Sequence, residues 1–173
     1  MHEGDADSAA ATVRRYFESL RNAEPLAPFF ADDPDVVKYG LSERLVGDEV
    51  QTGLREQTET TRDWAVESRA LRVTERDAHA WFSDQVFMGW TDVERRIRYE
   101  FETRWSGTLE RRTGGEVDPD GEWRFVGMHV SREAERSEAS ERASGVLASE
   151  ASQRSEDERS ESSGDAASNE EAL

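Results

Sequence analysis

Over the first half of the chain the apolar positions follow a helical period. Val13, Tyr16, Phe17 and Leu20 recur at spacings of three and four, which stacks their side chains on one helical face. Asp7 or Ser8 can accept hydrogen bonds from the free amides that open this helix. Pro25 interrupts it soon after Asn22, and Leu26, Ala27, Phe29 and Phe30 predict a second, shorter helical turn closed by Asp32, Asp33 and Pro34. Val36, Val37 and Tyr39 read as a brief strand, after which Gly40 and Ser42 turn the chain toward a third helix opening near Gly47 and Asp48. Val50 and Leu54 face the core from that helix, while Gly53 weakens its middle by about 1 kcal/mol relative to alanine, so tertiary packing has to hold it.

From Trp64 onward the period changes to two. Trp64 and Val66, then Leu71 and Val73, predict a strand before a turn at Glu75 to Asp77. In the next strand Ala80, Phe82, Val86 and Met88 alternate with Trp81, Ser83, Gln85 and Phe87, and Trp90 falls beside Gly89 in a turn leading to Asp92. A long third strand carries Ile97, Tyr99, Phe101, Thr103, Trp105 and Leu109 on one face and Arg98, Glu100, Glu102, Arg104 and Glu110 on the other. The run Gly114, Gly115, Asp118, Pro119, Asp120 and Gly121 predicts a wide turn, and residues 123–131 a last strand. The pattern as a whole predicts the α+β class.

Beyond Arg132 the composition changes. Residues 133–173 contain no aromatic side chain, and 12 acidic residues stand against 4 basic ones. Such a segment cannot offset its ordering entropy by burial, so it is expected to be an acidic, disordered Ser/Glu/Ala-rich tail. Transient helix around Val146 and Leu147 would give it a docking role. The expected organisation is a flexible N-terminus over residues 1–7, one folded domain over 8–132 and the tail over 133–173.

Charge narrows the setting. The formal net charge is -17, and Lys38 is the single lysine among 22 basic residues. Phosphate backbones need clustered Lys and Arg, so nucleic acid is not an expected partner. Excess carboxylate, arginine in place of lysine, and no cysteine resemble the composition of proteins from extreme halophiles. Dense carboxylates repel at low salt and are screened within about 3 Å at 1 M salt. The absence of cysteine removes disulfides, thiolate nucleophiles and cysteine-ligated metals. No window reaches the roughly 20 apolar residues of a membrane span, and the acidic start lacks an apolar signal core. A cytoplasmic, membrane-free protein is expected.

The order of elements resembles the nuclear transport factor 2-like superfamily, and in particular its SnoaL-like branch, over residues 12–131. The residues that carry the resemblance are Phe29-Phe30-Ala31-Asp32-Asp33, Gly47-Asp48-Glu49 and Ala80-Trp81-Phe82-Ser83-Asp84. They continue with Leu109-Glu110-Arg111-Arg112, Gly121-Glu122-Trp123-Arg124-Phe125-Val126 and Met128-His129-Val130-Ser131. The resemblance implies a cone-shaped barrel: a curved antiparallel sheet wrapped around N-terminal helices, with an internal pocket and pairing into homodimers through the outer sheet face. The sequence departs from the pattern at Arg95, Arg96 and Arg98 and in the insertion Asp118 to Gly121.

Candidate chemistry follows from the residues that a small core does not require. Trp64, Trp81, Trp105 and Trp123, with Tyr39, exceed that need, and ligand pockets are lined mainly by such side chains with a few polar groups. Each also serves as ordinary core in the alternative reading. His129 is in phase with Trp123 and Phe125 provided no bulge intervenes near Gly127, and a pocket histidine orients a ligand or moves a proton. Asp84 interrupts an apolar strand, where it is a base, a hydrogen-bond acceptor or an ion-pair partner of Arg104. Arg95, Arg96 and Arg98 read either as an anion-facing rim or as a solvated strand end balanced by Asp92 and Glu94.

His79 and His129 lack metal-ligand spacing, and phosphate-loop, dinucleotide and serine-elbow motifs are absent, so no metal and no cofactor is expected. The expected ligand site is Tyr39, Trp64, Trp81, Asp84, Trp105 and His129 around one cavity. Asp84 is out of phase with Trp81, which already sets the six against one another. Three functions compete: a homodimeric domain binding a small apolar ligand; a cyclase or isomerase with Asp84 or His129 as base and Tyr39 as donor; and a dimerisation module presenting an acidic tail. Melting by circular dichroism is expected to fall as salt is lowered from about 3 M to about 0.1 M, a range that brackets the change in screening length. Equal melting temperatures at both ends would remove the halophilic reading.

Overall fold

A serine hydroxyl starts the fold. Ser8 accepts the backbone N–H of Ala11 at 3.0 Å and caps helix α1, Ala9–Arg21. The expected stripe is buried on this helix, with Tyr16 and Phe17 each only 1% exposed. Tyr16 meets Phe29, Phe125 and Trp105 edge-on at ring distances of 5.5, 5.3 and 6.2 Å. Such contacts contribute about 0.5–1.5 kcal/mol each beyond burial. The expected second helix is shorter than the pattern implied: a single 3₁₀ turn, Ala27–Phe29. These coordinates are a computed structural model that describes residues 6–134. Residues 1–5 of the expected N-terminal extension and residues 135–173 of the expected tail, Val146 and Leu147 included, lie outside the described residues.

The remaining elements are β1 Val37–Tyr39, β2 Arg44–Val46, α2 Asp48–Thr60, β3 Thr61–Ser68, β4 Arg72–Glu75, β5 His79–Asp92, β6 Ile97–Thr113, β7 Glu116–Val117 and β8 Glu122–Arg132. They make one eight-stranded sheet in the order β2-β1-β8-β6-β5-β3, with β4 on β5 and β7 on β6. The helices cover its concave face, and the sheet does not close on itself. The curved sheet is mostly antiparallel, as expected, and β1 runs parallel to β8. That pairing follows from connectivity, since the chain between β1 and β8 crosses from one edge of the sheet to the other. The short strands β2 and β7 occupy segments read as turns.

β5 also extends past its expected end and takes Trp90 into the sheet. Gly89 is a strand residue paired with Glu100, and a Cβ there would come within 3.0 Å of the Tyr99 carbonyl oxygen, which favours glycine at this position. Among the described residues no helix is long and apolar enough to cross a membrane.

Two bulges decide which side chains face inward. In β8, Leu109 pairs with Phe125 but its neighbour Thr108 pairs with Gly127, so Val126 is an extra residue. Trp123 and Phe125 are buried before it, Met128 and Val130 after it. The inward phase therefore changes from odd to even residues. In β3 the register shifts between Arg62 and Ala65, with Asp63 in the left-handed region at φ 54°. Asp tolerates that conformation better than most residues. The shift brings Trp64 onto Trp90 with ring centroids 5.0 Å apart and planes 19° from parallel.

Candidate functional site

Above the aromatic core the cone holds a cavity of about 160 Å³. Its walls come from Tyr16 and Leu20 of α1, Gln57 of α2, Thr61 and Trp64 of β3, Met88 and Trp90 of β5, Trp105 of β6 and Val130 of β8. Lys38 of β1 and the β1–β2 turn, Gly40 to Glu43, complete it. Trp64 donates its indole N–H to the Thr61 hydroxyl at 2.9 Å, and Trp105 donates to the Thr103 hydroxyl at the same distance. Both indoles are thus fixed by their own strands, leaving their rings as walls.

The buried charged group in this wall is Lys38, which is 4% exposed. It points inward because it pairs with the buried Met128 across the β1–β8 ladder, and cross-strand partners share a face. Its Nζ donates to Glu43 Oε1 at 2.9 Å, and Glu43 keeps a 43% exposed side chain. Burying an ammonium without a partner costs several kcal/mol, so this carboxylate is what permits the lysine inside. Burial, and secondarily the charge of Glu43, push the Tyr16 phenol well above its usual range.

The six expected ligand residues do not converge. Trp64 and Trp105 line the cavity. Tyr39, Trp81 and His129 stand on the outer face of the sheet; Tyr39 and Trp81 are 43% and 48% exposed, and the Tyr39 and His129 rings lie 5.6 Å apart. His129 turns outward because of the bulge at Val126, and Tyr39 follows it as its ladder partner. Trp81 is out of phase with Ala80 and Phe82, and Arg76 lies 5.4 Å over its ring.

Asp84 does face inward, 4% exposed, but its carboxylate accepts the Ser68 hydroxyl at 2.5 Å and the Ala70 N–H at 2.9 Å. It ties the turn between β3 and β4. Arg104, its expected ion-pair partner, reaches Glu133 instead. Asp92 accepts from the backbone of Glu94 and Arg95 and pairs with the Arg95 guanidinium, which fits the solvated strand end. Among the described residues no group of three or more His, Asp or Glu side chains is arranged to hold a metal ion.

Lys38, Glu43, Tyr16 and Trp90 were missed as cavity residues. A signal existed for Lys38. It is the one lysine of the chain, and strand alternation sets it opposite Tyr39, so assigning Tyr39 to the pocket excluded it.

A family model described as SnoaL-like domain matches residues 9–135. The chain belongs to that family. Among solved structures it is similar to a ketosteroid isomerase-like protein from Erwinia carotovora atroseptica, with a TM-score of 0.59 and 18% identity over 78% of this chain and 100% of that one. It is also similar to a candidate dehydratase of the NTF2-like family from Streptomyces avermitilis, with a TM-score of 0.62 and 13% identity over 77% and 99%. A nuclear transport factor 2-like superfamily protein from Salmonella enterica gives a TM-score of 0.61 and 16% identity over 74% and 90%. These likenesses show the fold, an α+β cone. The comparison with curated proteins returned no match.

The phenol of Tyr16 gives a pH prediction. A group whose folded pKa is raised contributes stability that is complete below its unfolded pKa, about 10 for tyrosine, and is lost as pH rises above it. Stability of the wild-type chain is expected to fall above about pH 10, more steeply than that of Tyr16→Phe, which cannot ionise. Chemical denaturation along an alkaline series in high salt measures the two slopes. Parallel slopes would show that the phenol is not held protonated by the fold.

Proposed function

We propose that this SnoaL-like domain binds a small, largely apolar molecule in the cone cavity and works as a homodimer paired through the outer face of its sheet. The observation that carries the binding reading is the wall of three tryptophans, Trp64, Trp90 and Trp105, around a cavity with one charged pair, a buried Lys38 and a partly exposed Glu43. Apolar walls with few polar groups suit a small-molecule site. Its size, about 160 Å³, is close to a cavity that takes up one benzene ring. Single-ring molecules therefore fit this reading better than fused polycycles.

Acid/base chemistry on such a ligand, of cyclase or isomerase type, is the second reading. It loses Tyr39 and His129 to the outer face and Asp84 to its turn. What favours it is the Lys38–Glu43 pair in the cavity wall. For the dimer, the support is the exposed aromatic patch of Trp81 and Tyr39 beside His129 on the convex side of the sheet. The acidic surplus and the near absence of lysine support work in concentrated salt within a cytoplasm.

Toluene titrated into the full chain in high salt is expected to change tryptophan emission saturably. Met88→Phe, which takes up cavity space, is expected to weaken that binding about tenfold, and pyrene should not compete. A linear, unsaturable response, unchanged in the variant, would remove the cavity reading.

Light scattering in high salt is expected to report a dimer. Trp81→Glu, which puts a charge at the centre of the proposed contact, is expected to give a monomer of unchanged secondary structure. A wild-type monomer would remove the pairing.

A further inference from the structure

We propose that Lys38 is an imine-forming amine for single-ring aldehydes or ketones, with Glu43 as its proton acceptor and donor; this rests on the cavity being the ligand site. Three observations meet here. The chain uses arginine for its side-chain cations almost throughout, yet keeps one lysine, and that residue is 4% exposed in the cavity wall. Arginine stays protonated in proteins, whereas a lysine amine can release a proton and act as a nucleophile. Among the described residues the hydrogen-bond partner of its Nζ is Glu43, at 2.9 Å. An ammonium has three N–H bonds, so two remain to meet a carbonyl oxygen in the cavity.

The carboxylate is placed to move the proton. Glu43 is half hydrated in the free cavity, with 43% of its side chain exposed. A ring that settles against Trp90 and Trp105 excludes that water, and exclusion favours the neutral amine–acid pair over the separated charges. The step then balances. Lys38 passes one proton to Glu43, and the amine lone pair forms a C–N bond to the carbonyl carbon while the C=O π electrons move to oxygen. The amine's second proton transfers to that oxygen and gives a neutral carbinolamine. Glu43 returns its proton to the hydroxyl, the C–O bond breaks, and water leaves. The product is a protonated imine beside a carboxylate, so the same ion pair that holds the ammonium holds the iminium. One aldehyde and one ammonium give one iminium and one water, and no oxidant or reductant is required.

The single lysine makes the test direct. The full chain in high salt near neutral pH is incubated with benzaldehyde and cyanoborohydride, which reduces an iminium to a stable benzylamine, and peptide mass mapping follows Lys38 and the α-amine of the expressed chain. An ordinary exposed lysine trails an α-amine roughly 300-fold in its free-amine fraction, from pKa values near 10.4 and 7.9. Lys38 is expected to be modified faster than the α-amine. Glu43→Gln is expected to slow its modification by about a hundredfold, as for the loss of a positioned acid–base group. Toluene is expected to protect it. Should the α-amine react first while Lys38 stays unmodified, the proposal is overturned. Toluene still changing tryptophan emission in that sample would leave the binding reading standing, and toluene having no effect would remove both. The decision rests on the unaltered chain, so a misfolded variant does not shield the proposal.

Discussion

Side-chain parity along one curved sheet is the constraint on which the rest of this structure depends. Successive residues of a strand face opposite sides, so a strand that must pack on helices at one end and line a cavity at the other is bound to one alternation unless a residue is inserted. Val126 is such a residue in β8. Before it, Trp123 and Phe125 join the aromatic core under Tyr16; after it, Met128 and Val130 face inward and His129 is expelled to the convex side. The shift in β3 has the complementary effect at the mouth, where it stacks Trp64 on Trp90.

Electrostatics in the cavity follows from that geometry. Once Met128 is inward, its ladder partner Lys38 is inward too, and a charged amine enters a wall built largely from aromatic and aliphatic side chains. The β1–β2 turn supplies Glu43 at 2.9 Å, close enough to neutralise the ammonium and exposed enough to keep part of its own hydration. Asp84 shows the opposite outcome for a buried charge. Each of its carboxylate oxygens accepts one hydrogen bond, from Ser68 and from Ala70, so it serves the turn between β3 and β4.

The membership in the SnoaL-like family and the likeness to NTF2-like structures agree with the α+β fold. At 13 to 18% identity those likenesses carry fold alone. The Lys38–Glu43 pair in the cavity wall is read from this chain's own residues.

The α+β class, the first helix, the stripe of Val13, Tyr16, Phe17 and Leu20, and the inward set Ala80, Phe82, Val86 and Met88 were legible in the sequence alone, because each depends on periodicity within continuous elements, and the structure chose Ser8 over Asp7 as the cap. Trp64 and Trp105, singled out because the aromatic residues exceed what a small core needs, are two of the six that line the cavity. The parallel β1–β8 pairing, the strand residence of Trp90, the outward turn of Tyr39 and His129 and the inward turn of Lys38 were not legible. A bulge adds one residue without leaving a compositional mark, and the face of a three-residue strand is set by whichever neighbour it pairs with. Only the assembled sheet could choose between Lys38 and Tyr39, since the ladder to Met128 and His129 joins residues some ninety positions apart and local pattern carries no information over that distance.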